Sequence, residues 1–274
     1  ENSAIGTWLC RPTDKEFPGG WIENPTIAFP RTCVRIRQEG EEPIVADPNV
    51  AVIYRGSQEY SRTAVDPAGD RCDWFEVGSD LAEEVARQVH DNGAGGGSPM
   101  GQTHAPVPSD AYLLLRVLLR HVVSPAGPDP LVVEETLLQL LERVLTSANR
   151  AGTELETTRP DHRYLVEDAK AFMALNFRAP LSLADVGRAI GASRFHLARL
   201  FRAVTGETIH SHITDLRLRA ALGELEGGCG DIARIALDLG FASHSHLTKV
   251  FRQRFGMTPS EFRDQADLSK IVTA

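Results

Sequence analysis

The sequence reads Leu183-Ala-Asp-Val-Gly-Arg-Ala-Ile-Gly191 and, further on, Ile232-Ala-Arg-Ile-Ala-Leu-Asp-Leu-Gly240. Each stretch leads into a second one, Ala192-Ser-Arg-Phe-His-Leu-Ala-Arg-Leu-Phe-Arg-Ala-Val-Thr-Gly206 and Ala242-Ser-His-Ser-His-Leu-Thr-Lys-Val-Phe-Arg-Gln-Arg-Phe-Gly256. The two second stretches share, in register, Ala-Ser, His-Leu, a basic residue, an apolar residue, Phe-Arg and a final Gly. Such self-similarity indicates two copies of one supersecondary unit.

Each copy has the pattern of a helix-turn-helix, over about 182–204 and about 231–255. Its first helix begins at a capping residue, Ser182 or Asp231, and ends at a glycine that permits a sharp turn. A serine then caps the second helix. Apolar residues at helical spacing on the second helices are predicted to pack inward: Leu197, Leu200, Phe201, Val204, Leu247, Val250, Phe251 and Phe255.

The charge distribution favours DNA at these second helices. The chain has a net charge of −8, but residues 181–274 hold 12 Lys/Arg against 10 Asp/Glu, whereas residues 1–180 are strongly acidic. Neither second helix contains an acidic residue. Cationic side chains displace the counterions of DNA, and Arg binds guanine edges or phosphates. The alternative, a basic face on a helical bundle without nucleic acid, is disfavoured by two in-register copies.

Residues 181–263 resemble the DNA-binding domain of the AraC/XylS family. The resemblance is carried by Leu181-Ser-Leu-Ala-Asp-Val186, Leu239-Gly-Phe-Ala-Ser243 and Gly256-Met-Thr-Pro-Ser260 in addition to the repeat. The segment Leu216-Arg-Leu-Arg-Ala-Ala221 keeps the family's pattern only approximately. The resemblance implies a long helix over about Thr208–Leu225 between the two units. That helix spans about 27 Å, close to the ~34 Å of one DNA turn, so both second helices can enter successive major grooves.

The resemblance also implies which side chains meet double-stranded DNA. Carried over by motif position, the base-reading candidates are Arg194, Phe195, Arg199, His244, Ser245 and Lys249. Two further arginines, Arg202 and Arg252, lie later on the helices and are expected to contact phosphates or close the domain core. At the last helix, Thr258-Pro-Ser-Glu261 provides a cap, a first-turn proline and a capping-box acid.

The first 80 residues have a β pattern. Short runs rich in β-branched and aromatic residues are separated by turn signals: Ile27–Phe29, Cys33–Arg37, Ile44–Val45, Val50–Tyr54 and Trp74–Val77 between Pro18-Gly-Gly, Glu39-Gly, Asp47-Pro-Asn and Asp66-Pro-Ala-Gly-Asp. This pattern predicts an antiparallel sandwich or small barrel, and its layout resembles the cupin-like arm of the same family. The resemblance implies an effector bound inside the barrel.

Helical patterns follow from residue 80. Helices are predicted from Ser79-Asp80 to about His90, over Asp110–Val123 and over Pro130–Ala148, with a flexible Asn92–Pro99 stretch and a linker at Arg150–Arg159. A broad apolar stripe on the third helix predicts a homodimer contact through Val133, Leu137, Leu140 and Val144. The predicted division is therefore 1–80 for the cupin-like effector domain, 81–158 for the helical dimerisation and linker region, and 159–274 for the DNA-binding domain. The fold class is α+β, an antiparallel β-barrel with helices followed by an all-α domain.

Catalysis is not predicted. A cupin metal site needs clustered histidines, and residues 1–89 contain none. No nucleophile triad or phosphate loop is present, and no cofactor is expected. Cys10, Cys33 and Cys72 all lie in the β arm, where three thiols could bind a soft metal or sense oxidants; ordinary buried apolar positions are the favoured interpretation. His196 and His246 occupy equivalent repeat positions and are predicted to be packed helix residues.

No run of apolar residues is long enough for a membrane span, and Glu1–Trp8 lacks the basic and apolar parts of a secretory signal. The sequence begins with Glu1 and not Met, so preceding residues are expected. Four cysteines without close spacing suit a reducing cytoplasm. The prediction is a cytoplasmic transcription regulator that binds promoter DNA and answers to a small-molecule effector. The alternative is a thiol or metal sensor on the same DNA-binding domain.

Overall fold

Strands dominate the first part of the chain and helices the rest. The structure is a computed structural model and describes residues 3–10, 16–92, 99–124, 127–155, 160–228 and 230–265. The predicted linker residues 156–159, most of the predicted flexible stretch (93–98) and Cys229 lie outside the described residues.

The strands in the described ranges are β1 (Ala4–Cys10), β2 (Glu16–Ile22), β3 (Thr26–Pro30), β4 (Val34–Gln38), β5 (Ile44–Ala46), β6 (Val50–Tyr54), β7 (Gln58–Ala64), β8 (Asp70–Glu76) and β9 (His104–Pro106). The helices are α1 (Ser79–Asn92), α2 (Ser109–Val122), α3 (Pro130–Leu155), α4 (Pro160–Asn176), α5 (Leu183–Ala189), α6 (Arg194–Thr205), α7 (Ile209–Glu226), α8 (Ile232–Asp238), α9 (His244–Phe255) and α10 (Pro259–Gln265).

The strands form two antiparallel sheets. One has the order β1-β8-β3-β6-β9 and the other β2-β7-β4-β5. Because side chains alternate along a strand, the five-stranded sheet buries both of its faces. Ile27, Ile53 and Phe75 join the core shared with the helices, whereas Ala28 and Tyr54 face the four-stranded sheet. The predicted α+β class is confirmed, but the sheets face each other as a sandwich and do not close into a barrel.

One predicted turn is part of a strand. Pro18-Gly19-Gly20 lies inside β2, where the pairing with β7 shifts between Phe17 and Gly20. A Cβ on Gly19 would stand 2.6 Å from the carbonyl oxygen of Tyr60. The glycines therefore allow β2 to approach β7 closely at a bulge. Glycine within a strand pattern can mark such a bulge as well as a turn.

The apolar stripe of α3 is used inside the chain. Leu137, Leu140 and Val144 are buried in the core that also contains residues of α1 and α2, and Val133 packs against that core. The predicted dimer contact through this stripe is therefore wrong in its location, because α3 needs these residues to cover the sheet. The helix also continues to Leu155, through the first part of the predicted linker.

A single apolar core runs from the sheet into the last helices. It contains Leu114 and Leu118 of α2 together with Leu247 and Phe251 of α9. The division at residues 80 and 158 remains a prediction. None of the helices in the described ranges has both the length and the apolarity needed to cross a membrane.

Candidate nucleic-acid interface

The first helix-turn-helix consists of α5 and α6. Ser182 and Asp185 form the capping box of α5: the Asp185 amide donates to Ser182 Oγ (3.2 Å), and the Ser182 amide donates to Asp185 Oδ2 (3.0 Å). The turn passes through Gly191, whose φ of +69° is a left-handed conformation that L side chains rarely adopt. The predicted start and turn of this unit agree with these bounds.

The second helix-turn-helix consists of α8 and α9. Asp231 caps α8 by accepting from the Ala233 amide at 3.1 Å. Gly240 turns the chain at φ +79°, and a Cβ there would lie 2.7 Å from the Arg178 carbonyl oxygen. Glycine is thus required at this turn both for its backbone angle and for the close approach of the segment after α4.

The two second helices begin and end in the same way. Ser193 Oγ accepts from the amide three residues on at 3.2 Å, and Ser243 Oγ does so at 3.1 Å. Each helix stops at a left-handed glycine, Gly206 (φ +74°) or Gly256 (φ +75°), whose amide donates to a carbonyl of the last turn. α6 and α9 therefore have equal length, and equal positions along them are comparable.

The inward faces of α6 and α9 are as predicted. Leu197, Phe201, Leu247 and Phe251 are fully buried. Leu200 and Phe255 are also buried, and the remaining two predicted positions, Val204 and Val250, pack against the core from its edge. The first unit packs on α4, whereas the second packs on α10 and on α2.

The outward faces carry all eight residues predicted to contact DNA. Every one of them is at least partly exposed: Arg194, Phe195, Arg199, Arg202, His244, Ser245, Lys249 and Arg252. Within the described ranges, no carboxylate lies within ion-pair distance of any cation in this set. By contrast, Arg254, on another side of α9, binds Asp215 at 2.9 Å. The set thus presents positive charge to solvent, without an ion-pair partner among the described residues.

Phe195 is 71% exposed in the first turn of α6. The Arg199 guanidinium lies 5.9 Å from the centre of its ring, at the outer range of a cation–π contact. A groove of about 520 Å³ beside these residues is also lined by His210 and Thr214 of α7. Sequence reasoning missed these two, although their spacing of four residues places them on one side of α7.

The exposure of two histidines differs from expectation. His196 and His246 are exposed and not buried, although their rings stand edge-on to those of His162 and Phe241 at 5.7 and 5.6 Å. The three thiols are not brought together as a metal site, since the described residues contain no suitable cluster of three His, Cys, Asp or Glu.

The environments of the three cysteines differ. Cys33 is buried with residues of α4, Cys72 faces the other sheet, and Cys10 lies 3.9 Å from a guanidinium nitrogen of Arg62. Burial raises the pKa of both the Cys33 and the Cys72 thiol well above the ordinary value. A raised pKa leaves these two thiols protonated at neutral pH, the less reactive form.

α7 connects the two units and also touches the sheets through buried polar groups. His212 Nε2 lies 2.9 Å from Asp47 Oδ2, its Nδ1 lies 2.7 Å from Glu207 Oε1, and its carbonyl accepts from Asn49 Nδ2 at 3.0 Å. Burial by itself lowers the pKa of His212, but Asp47 and Glu207 outweigh it and raise the pKa to about 9. The imidazole is therefore a buried cation at neutral pH.

The same face of α7 makes further contacts toward its C-terminal end. Arg219 donates to the carbonyls of Pro48 and Val107, the latter at 2.6 Å, and Glu226 accepts from Arg116 of α2. These residues follow His212 by two and four helical turns and so lie on one side of the helix. α7 is thus held along its length by the sheet domain and α2.

Comparison with known proteins places this site in a family. The family description "Helix-turn-helix domain" matches residues 186–265. The regulatory protein SoxS of Escherichia coli strain K12 is 35% identical over 102 residues, which are 37% of this chain and 95% of SoxS. The right origin-binding protein of the same strain is 31% identical over 109 residues, 40% of this chain and 38% of that protein.

Two solved structures are similar to this chain over part or most of its length. A transcriptional regulator with an AraC-type DNA-binding domain from Chromobacterium violaceum is 31% identical, covers 39% of this chain and 96% of its own, and has a TM-score of 0.37. A ligand-free single-residue variant of ToxT from Vibrio cholerae is 13% identical over 97% of this chain and 98% of its own, with a TM-score of 0.38. The identity to SoxS over nearly the whole of that protein decides the assignment: the chain belongs to the AraC/XylS family of transcriptional regulators.

Proposed function

We propose that this protein is a cytoplasmic, sequence-specific transcription regulator whose DNA binding is controlled by an effector held in the N-terminal half. The observation that carries the DNA-binding part is the exposed positive charge on the outward faces of α6 and α9, which forms no ion pair among the described residues, in a protein of net charge −8. Isolated cations on two capped helices of equal length are suited to two neighbouring major grooves.

The two helices have different shares of the recognition. Arg194, Phe195 and Arg199 of α6 are proposed to read base edges, because Arg can bind guanine through two hydrogen bonds and an exposed phenyl ring can contact a thymine methyl group. His244, Ser245 and Lys249 of α9 offer shorter or less directional groups. The later arginines, Arg202 and Arg252, are proposed to bind phosphates and set the register.

Two features support effector control: a cavity between the sheets, and contacts that connect the sheet domain to α7. The two sheets enclose a cavity of about 170 Å³, lined by both sheets. The turn Asp47-Pro48-Asn49 between β5 and β6 binds His212 and Arg219 of α7. A shift of this turn relative to the sheets would move the helix that spaces the two reading helices.

A homodimer is part of the proposal, through a surface other than the buried stripe of α3. Two copies would place four reading helices on a repeated operator, the common arrangement for helix-turn-helix proteins. Thiol sensing by Cys33 and Cys72 is disfavoured, because burial raises the pKa of both thiols.

The test is a fluorescence anisotropy titration of the full chain with DNA from its own promoter region and with a scrambled sequence. We expect tighter binding to the promoter DNA, and affinity for both DNAs falling steeply between about 50 and 200 mM salt, by about 10³-fold or more for six phosphate contacts. Binding that is absent, or that does not respond to salt, would reject the proposal.

A further inference from the structure

The cavity between the sheets has mainly aromatic and aliphatic walls. Trp8, Tyr54 and Trp74 line it from the five-stranded sheet, and Ile36 and Tyr60 from the other. Its volume of about 170 Å³ is close to that of an apolar cavity of ~150 Å³ that binds benzene. The cavity therefore fits one ring with a small substituent. The aromatic side chains in its wall favour an aromatic ring.

One corner of this cavity is polar. Asp70 is 2% exposed and accepts from Arg62 Nη1 at 2.5 Å through one of its oxygens. The Arg62 guanidinium also lies 3.7 Å above the Trp8 ring, so it brings Trp8 and Asp70 to the same corner. Strand pairing agrees with this arrangement, because Trp8 stands opposite Cys72, two residues from Asp70.

Trp8 and Asp70 each have a buried polar atom in this corner that lacks a partner among the described residues. These atoms are Asp70 Oδ1, an acceptor, and Trp8 Nε1, a donor. A buried polar atom without a hydrogen bond costs free energy, and a ligand that supplies the bond recovers it. A hydroxyl group is suited to both, because it donates one hydrogen bond and accepts others.

We propose that this cavity binds a compound of one aromatic ring that carries a hydroxyl group, a phenol in the simplest case, with the hydroxyl directed to Asp70 and Trp8. The inference rests on the proposed function for its regulatory meaning, and on the cavity for its chemistry. An aromatic carboxylate does not fit, because it would place a second negative charge beside the buried Asp70.

Isothermal titration calorimetry of the full chain with p-cresol, toluene and benzoate tests the proposal. The first two differ only in the hydroxyl group. We expect p-cresol to bind at least about tenfold more tightly than toluene, because hydrogen bonds to a charged group are among the stronger ones. Benzoate is expected to give no heat of binding. Equal affinities for p-cresol and toluene, preferred binding of benzoate, or no binding of any of the three would overturn the proposal.

The substitution W8F removes the indole N–H and keeps an aromatic ring. It should weaken p-cresol several-fold and leave toluene within about twofold, since only the hydroxyl meets that N–H. The matched control is W21F, because Trp21 is 60% exposed and does not line the cavity. An unchanged preference for p-cresol in W8F would overturn the role of Trp8. Asp70 is left intact because its removal would deprive the buried Arg62 of its charge partner.

Fluorescence anisotropy with promoter DNA, measured on the same preparations, distinguishes a failure of this inference from a failure of the proposed function. A chain that binds promoter DNA but no phenol contradicts this inference alone. A chain that binds p-cresol as expected but no DNA contradicts the proposed function and leaves the ligand assignment standing.

Discussion

The two helix-turn-helix units have matching helix ends but different attachments to the rest of the molecule. The first meets the sheets through α4 and through the buried His212 between Asp47 and Glu207. The second shares an apolar core with α2, through Leu247 and Phe251. The repeat therefore encodes the same local structure twice. The surroundings give the first unit an attachment that includes the buried His212 ion pair, whereas the attachment of the second is mainly apolar, with a hydrogen bond from Arg120 of α2 to the Phe262 carbonyl at 3.1 Å.

This difference bears on the proposed control by an effector. An attachment through charged groups responds to pH and to small shifts of the Asp47-Pro48-Asn49 turn, because such bonds depend steeply on geometry. An apolar attachment tolerates small shifts with little change in free energy. We therefore expect the first unit to be the one that an effector repositions, and the second to remain with α2.

The largest effect is expected from the two buried phenylalanines. Phe201→Ala and Phe251→Ala should each lower the free energy of unfolding by about 3–5 kcal/mol. All three tryptophans, Trp8, Trp21 and Trp74, lie in the sheets, so their fluorescence reports unfolding of that half. Phe251 belongs to the core shared with α2 and the five-stranded sheet, whereas Phe201 belongs to another cluster. In urea, Phe251→Ala should therefore lower the midpoint of the fluorescence transition more than Phe201→Ala does. Circular dichroism follows the unfolding of the helices in the same samples. Equal fluorescence shifts would contradict the separate attachments.

The next effect concerns pH. The pKa of His212 is raised from 6.5 to about 9, so the stabilisation from its protonated form is fully present below pH 6.5 and is lost as pH rises through about 9. At about 1.4 kcal/mol per pKa unit this is roughly 3 kcal/mol. The free energy of unfolding should fall between about pH 7 and 10, and His212→Gln should lack most of that fall.

The matched control for this titration is His246→Gln, since His246 is an exposed histidine of the second unit. It should keep the pH dependence of the unmodified chain. If His246→Gln flattens the curve as much as His212→Gln does, the attachment of the first unit is not ionic in the way described.

A smaller effect is expected at the DNA surface. Arg199→Ala should cost about 1–3 kcal/mol on the specific site and relax preference at one or two base pairs. Lys249→Ala, at the equivalent position of the second unit, should cost less and act evenly on all sequences. Both are measured by anisotropy with operator and scrambled DNA at fixed salt. Equal losses on the two DNAs for Arg199→Ala would reduce that residue to a phosphate contact.

The smallest effect tests the similarity of the units. Ser193→Ala and Ser243→Ala each remove one cap hydrogen bond, of 3.2 and 3.1 Å respectively. Each should lower the free energy of unfolding by about 1 kcal/mol, and by equal amounts within a few tenths. A large inequality in urea unfolding would show that the two helix starts are not equivalent.

Much of the DNA-binding half was predictable because its signals are local. Caps at Ser193 and Ser243, and glycines after each helix, act within one helical turn, so the sequence determines where α6 and α9 begin and end. The predicted α5, α7, α8 and α10 agree with the structure for the same reason. The exposure of the basic residues on α6 and α9 was also predictable, because the helical spacing of the apolar residues places the basic ones on the opposite face.

The sheets were less predictable. β1, β2 and β7 mix polar and apolar residues, and Pro18-Gly19-Gly20 has the composition of a turn although it forms a bulge in β2. Strand pairing depends on partners far along the chain, so a local pattern does not reveal that Gly19 faces the Tyr60 carbonyl.

The sequence alone determined α6 and α9, their caps and turns, and the basic residues on their outward faces, since each depends on neighbours three or four positions away. Only the tertiary structure decided that the stripe of α3 is core, because an apolar face has the same pattern whether its partner is its own chain or another. It also decided the meeting of Asp47 with His212, which are 165 residues apart. Asp47 and Glu207 keep the buried His212 imidazole protonated against the effect of burial. A contact between residues so far apart in the chain has no local sequence signal.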